Sequence, residues 1–233
     1  MIINGFEGVS LLDYPGKICS IVYTSPCNFK CPFCHNPSLV TENADVLSEE
    51  FVLSDILDRR NFIDAVTVTG GEPTLQAGLP SFLGKIKDMG LSTKLDTNGY
   101  RPDMLESLFR DGLVDYAAMD IKAPLHSYSA AAGLKVDTKK IEKSVGLIME
   151  HAPDYAFRTT AVPGITGPEA FESISEMIEG AKLYVIQQFE NELTLDESMK
   201  RTAPFTEKEL ETFAGIAAAR VKKVRLANIR TPA

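Results

Sequence analysis

Cysteines at 27, 31 and 34 fall inside eight residues, CNFKCPFC, with His35 bonded directly behind the last. The chain has only four cysteines in 233 residues, so this loop concentrates soft ligands. Thiolates so placed can hold zinc or iron. A structural zinc site would combine them with Cys19 or His35. Such sites usually join two distant pairs, and His35 has little freedom to reach an ion that Cys34 already holds. Cys19 lies in the apolar run ICSIVY and reads as a small buried hydrophobe. The C-x3-C-x2-C spacing favours an iron–sulfur cluster with three protein ligands, leaving one iron open to another molecule.

Further chemistry-bearing residues recur along the chain: Gly70, Gly71 and Glu72 in TGGEPT, Asp96 and Thr97 in DTNG, Asp120 and Lys122 in MDIK, and Arg158 ahead of VPG at 162–164. Paired glycines let a backbone approach a ligand closely, and a carboxylate beside them can accept from an ammonium group. Each segment also has a plainer reading. Asp96 could cap an Asx turn, Lys122 could be a solvated charge, and Arg158 could form a structural ion pair. His126 and His151 have no partner at ligand spacing and carry no assignment.

The elements that would position these residues are legible from their periods. β-branched and aromatic runs at 17–24, 65–71, 92–96, 115–121, 155–162, 183–189 and 222–228 predict seven strands. Helical periods lie between them: Leu53, Ile56 and Leu57; Leu79 to Ile86, stopped at Gly90; Met104 to Phe109, stopped at Gly112; Ile141, Val145 and Ile148; Ile174 to Ile178 behind Pro168; and Leu210, Phe213 and Ile216 behind a Thr206–Glu209 capping box. Strict alternation of this kind favours a parallel sheet with helices outside it. The expected fold is α/β, an open TIM-barrel-like βα barrel of about six units. The polar segments then fall at C-terminal strand ends, including QQFEN at 187–191, and that edge is where such folds assemble active sites. One domain over 1–233 is expected, with a core near 17–190 and a last helix and strand near 206–228. The segment from 192 onward suggests nothing beyond these.

Composition narrows the function classes. With 44% hydrophobic residues and a formal charge of −8, the chain can bury a large core and has no basic run able to track a phosphate backbone, so a nucleic-acid partner is not expected. No apolar run approaches membrane-spanning length, and MIINGFEGVSLLDYPG lacks a signal-like pattern, which points to a cytoplasmic protein with no membrane partner.

C-x3-C-x2-C with Phe33 before the last cysteine, followed about forty residues later by TGGEP, resembles the radical S-adenosylmethionine (SAM) superfamily. The resemblance implies a [4Fe–4S] cluster on Cys27, Cys31 and Cys34, with SAM chelating the open iron. Reductive C–S cleavage would then yield methionine and a 5′-deoxyadenosyl radical. Gly70, Gly71 and Glu72 would hold the SAM amino group, and Lys122 and Arg158 its carboxylate. More narrowly, GFEGVSLLDYPGK, CHNP, DTNG, MDIK and RTTAVPG look like the activating enzymes of glycyl-radical proteins, among them the activators of anaerobic ribonucleoside-triphosphate reductase and of pyruvate formate-lyase. That match implies a glycyl-radical enzyme as partner and flavodoxin or ferredoxin as electron donor. It also places Asp96, Thr97 and Asp120 around a monovalent cation, although Ala118 stands where the formate-lyase activator has methionine. Four cysteines leave none for a second cluster. A radical SAM enzyme acting on a small molecule, similar to the ring-contracting deazapurine synthase, is the alternative, followed by a structural-metal or electron-transfer protein.

Overall fold

The computed structural model describes residues 1–40 and 45–229. Seven strands run parallel in chain order: β2 (Cys19–Thr24), β3 (Ala65–Gly70), β4 (Ser92–Thr97), β5 (Tyr116–Asp120), β6 (Asp154–Ala161), β7 (Tyr184–Gln188) and β8 (Val224–Ala227). An eighth, β1 (Ile3–Ser10), lies antiparallel on the outer side of β2. It escapes strand patterning because two glycines interrupt INGFEGVS and its middle residues are only partly buried.

Helices fill the crossovers: α1 (Glu49–Arg59), α2 (Leu79–Asp88), α3 (Pro102–Arg110), the single turn α4 (Tyr128–Ala131), α5 (Thr138–His151), α6 (Pro168–Met177) and α7 (Glu207–Ala218). Their ends follow local chemistry. Ser48 caps α1, and the Thr206–Glu209 capping box opens α7. Gly90 and Gly112 take positive φ just beyond α2 and α3. In α1 the buried residues are Val52 and Ile56, whereas Leu57, expected on the buried stripe, is 40% exposed.

The order β1 to β8 with six parallel crossovers is that of an α/β barrel left open, since β1 and β8 are its unpaired edges. The two faces of the sheet differ. Outward residues such as Val22, Val66, Val68, Leu95, Phe157 and Ile186 pack with the helices in one large core. Each such side chain contributes about 1.5–3 kcal/mol on burial. Inward positions form a smaller cluster, Cys19, Ile21, Ala65, Tyr116, Ala118, Ala156 and Val185, with Tyr14 closing over Tyr116. Three of these are alanines, and what they leave unfilled is the cavity.

Candidate active site

A cavity of about 720 Å³ occupies the barrel interior, and its wall includes Cys27, Cys31 and Cys34. Buried aromatic and backbone contacts hold the cysteine loop there. Phe29 packs against Tyr100 at 5.5 Å and Tyr128 at 6.3 Å between ring centroids. The Lys30 N–H donates to the Ala132 carbonyl at 2.8 Å, and the Asp196 N–H to that of Pro32 at 2.9 Å. Gly133 permits the first of these contacts, because a Cβ there would strike the Lys30 carbonyl. None of the cysteines is in a disulfide.

Burial pushes the Cys27 thiol up to about 12 and the Cys31 thiol up to about 11, against the pull of nearby Lys122, so a metal must displace protons to bind. Cys19 lies in the inner wall of β2, within reach of Thr67, and takes no part in the loop. His35, an exposed residue, also lines the cavity.

The glycines of TGGEP serve backbone approach within the chain. A Cβ on Gly70 would strike the Thr24 backbone, and one on Gly71 would lie 2.6 Å from the Pro26 carbonyl oxygen and 2.8 Å from that of Leu39. The Gly71 N–H donates to Thr24 O at 2.7 Å and that of Glu72 to Pro26 O at 3.1 Å, tying the end of β3 to the start of the cysteine loop. Both glycines still line the cavity.

Glu72 is fully buried and turned toward the chain itself. Its carboxylate accepts from the Thr74 N–H (3.1 Å), the Thr74 hydroxyl, the Thr97 hydroxyl (2.7 Å) and the Asn98 N–H (2.7 Å). Burial pushes its pKa up despite those donors. The expected role as an ammonium acceptor finds the carboxylate already engaged in joining the ends of β3 and β4.

Across β4, β5 and β6 the inward side chains form a charged row. Lys94 pairs with Asp96 Oδ1. Arg158 spans two strands, with Nη1 3.0 Å from Asp96 Oδ2 and Nε 2.7 Å from Asp120 Oδ1. Lys122 Nζ completes the row at 3.0 Å from Asp120 Oδ2. Burial opposes ionisation of both carboxyls, yet the facing cations outweigh it and hold each below its usual range. For Lys122 and Arg158 burial works the other way, and the carboxylates raise both.

The plainer readings of Lys122 and Asp96 do not survive, whereas Arg158 does form ion pairs, with Asp96 and Asp120. Lys122 is 19% exposed and paired, and the DTNG turn is made by Thr97 and Asn98, which accept from Gly99 and Tyr100, while Asp96 faces inward. Gln187 reaches the cavity from β7, whereas Gly164 of VPG takes positive φ in a turn away from it. Lys94 was not among the expected site residues. Its place two residues before Asp96 on the same strand puts both on one face, a signal the alternation already carried.

The residues fit an iron–sulfur group. Cys27, Cys31 and Cys34 all line the cavity, three thiols free of disulfides on a single loop. Thiolates are the ligands that iron–sulfur clusters take. Within the same loop, Asn28 Nδ2 is buried without a partner, a spare donor of the kind that suits an acceptor such as sulfide.

Residues 21–178 match the family model of the radical SAM superfamily. The chain belongs to that superfamily. Membership makes it a radical SAM enzyme and implies a [4Fe–4S] cluster and SAM. A Methanocaldococcus jannaschii protein named as a candidate glycyl-radical enzyme activating enzyme is 33% identical over 93% of this chain and 91% of its own length. The pyruvate formate-lyase-activating enzyme of Clostridium pasteurianum is 33% identical over 52% of each chain. In fold, the chain is similar to Streptococcus suis SuiB bound to S-adenosylmethionine, with TM-score 0.71 at 13% identity over 88% of this chain and 49% of that one. Among the described residues no helix of this radical SAM chain is long and apolar enough to cross a membrane.

Proposed function

We propose that the chain is an activase that installs a glycyl radical on a partner enzyme, with anaerobic ribonucleoside-triphosphate reductase the foremost candidate and pyruvate formate-lyase or another glycyl-radical enzyme next. The observation that carries this reading is the 33% identity to a candidate activating enzyme across nearly the whole of both chains. The open side of the barrel supports a macromolecular substrate. Leu12, 91% exposed, and Arg225 of β8 both line the cavity, and among the described residues no strand joins β1 to β8.

In this reading Cys27, Cys31 and Cys34 hold the cluster, and a low-potential donor such as flavodoxin or ferredoxin reduces it. When bound and reduced, cluster and SAM together supply a one-electron C–S cleavage whose carbon radical removes the glycine Cα hydrogen. The chain's own residues bind and orient. Lys122 and Arg158 offer charge-assisted hydrogen bonds to the SAM carboxylate. The backbone at Gly70 and Gly71 contacts its amino group, and Glu72 braces that backbone from behind. The floor of Tyr116, Ala118, Ala156 and Val185 limits water near the reactive carbon. No protein acid or base is assigned, because hydrogen-atom abstraction needs none.

The test is anaerobic turnover of reconstituted, reduced protein. Formation of 5′-deoxyadenosine should rise on adding a glycyl-radical protein, one equivalent per radical formed. Stimulation by a small metabolite in place of any such protein would move the assignment to the small-molecule class.

A further inference from the structure

The row Lys94, Asp96, Arg158, Asp120, Lys122 satisfies its two carboxylates completely. Each of the four carboxylate oxygens faces a cationic donor, with Arg158 serving two of them: Lys94 on Asp96 Oδ1, Arg158 on Asp96 Oδ2 and Asp120 Oδ1, and Lys122 on Asp120 Oδ2. Thr97, the third member of the expected cation set, donates its hydroxyl to Glu72 and accepts from the Gly99 N–H. A hard monovalent cation needs several free oxygens. Here it would have to evict ammonium and guanidinium groups held in a largely buried wall, where Lys94 and Asp96 side chains are 5% and 12% exposed.

We propose that Lys94 is a positioning residue whose ammonium group, together with Arg158, takes the place of a bound alkali metal ion beside SAM. Lys94 neutralises the inner oxygen of Asp96, so Asp96 can fix Arg158 through its outer oxygen without drawing a cation from solvent. Three cations against two carboxylates leave the row one positive charge in excess. That excess suits the single carboxylate of an amino-acid ligand. The inference rests on the reading of this cavity as the SAM site, and departs from what the resemblance to the formate-lyase activator implies.

Two readouts test it, each in potassium chloride, sodium chloride and tetramethylammonium chloride at equal ionic strength. The first is the thermal unfolding midpoint of the chain before cluster reconstitution, which requires no SAM. The wild type should show the same midpoint in all three salts. Lys94→Met should unfold lower in tetramethylammonium and recover by about 2–4 °C in potassium or sodium as an alkali ion fills the vacated oxygen. Lys94→Gln repeats the test should the methionine variant fold poorly. The second readout is SAM affinity of the reconstituted protein. It should vary less than about twofold between salts for the wild type and about tenfold for the variants. A wild-type midpoint or affinity that depends on potassium or sodium overturns the proposal, as do Lys94 variants that show no salt dependence. A wild type that fails to bind SAM in any salt overturns the functional reading instead, and the midpoints still decide whether Lys94 displaces an alkali ion.

Discussion

In the proposed reading, the chemistry rests most directly on Cys31. Replacing it with alanine is expected to lower iron content after reconstitution and to abolish SAM cleavage, read by iron analysis and 5′-deoxyadenosine formation; unchanged values for both would remove it from the ligand set. Glu72 makes a different prediction because all its partners are donors. The Thr74 and Asn98 N–H groups take separate oxygens, so Glu72→Gln must leave one of them facing an amide N–H. Its cost should be about 1–3 kcal/mol in urea unfolding of the chain without its cluster. A variant of full stability but impaired SAM affinity would instead make Glu72 a direct ligand. Cysteine spacing and the TGGEP string were readable because both are local in sequence. The inward brace of Glu72 was not, because its partners at 97 and 98 arrive from another strand.

At the scale of elements, the strand–helix alternation exposed six crossovers and the sites at strand ends, since a period of two and a period near 3.6 are visible in short windows. β1 stayed hidden because glycines and half-buried positions erase its alternation. Leu57 misled because α1 turns its narrow apolar stripe toward Val52 and Ile56. The β3–α2 connection carries its own prediction. Gly71→Ala places a methyl group 2.6 Å from Pro26 O and 2.8 Å from Leu39 O, both backbone atoms that cannot rotate aside. Destabilisation of about 1–3 kcal/mol is expected, together with poorer iron incorporation because the displaced backbone begins and follows the cysteine loop. Full stability and full iron loading in that variant would mean that the two segments are not held in register by this contact.

For the whole molecule, the charged row ties three strands together and sets an acid limit. Asp96 and Asp120 have folded pKa values below their unfolded ones, so their contribution is complete above the unfolded value near about 4 and is lost as pH falls toward the folded values. The part of the urea midpoint that these two carboxylates supply should therefore hold between pH 7 and 5 and be lost below about pH 4. Asp120→Asn should flatten part of that drop while lowering stability at pH 7; an unaltered acid limb would show that the pair does not couple to folding. Among the described residues no strand joins β1 to β8, and the activase reading depends on access for a partner through that side. Its most direct test is the electron paramagnetic resonance spectrum of anaerobic, reduced, reconstituted protein mixed with SAM and purified anaerobic ribonucleotide reductase or another glycyl-radical enzyme. The account predicts a cluster signal perturbed by SAM and then a glycyl doublet on the partner. A cluster signal indifferent to SAM, or no doublet on any glycyl-radical protein while a small molecule drives cleavage, would contradict it.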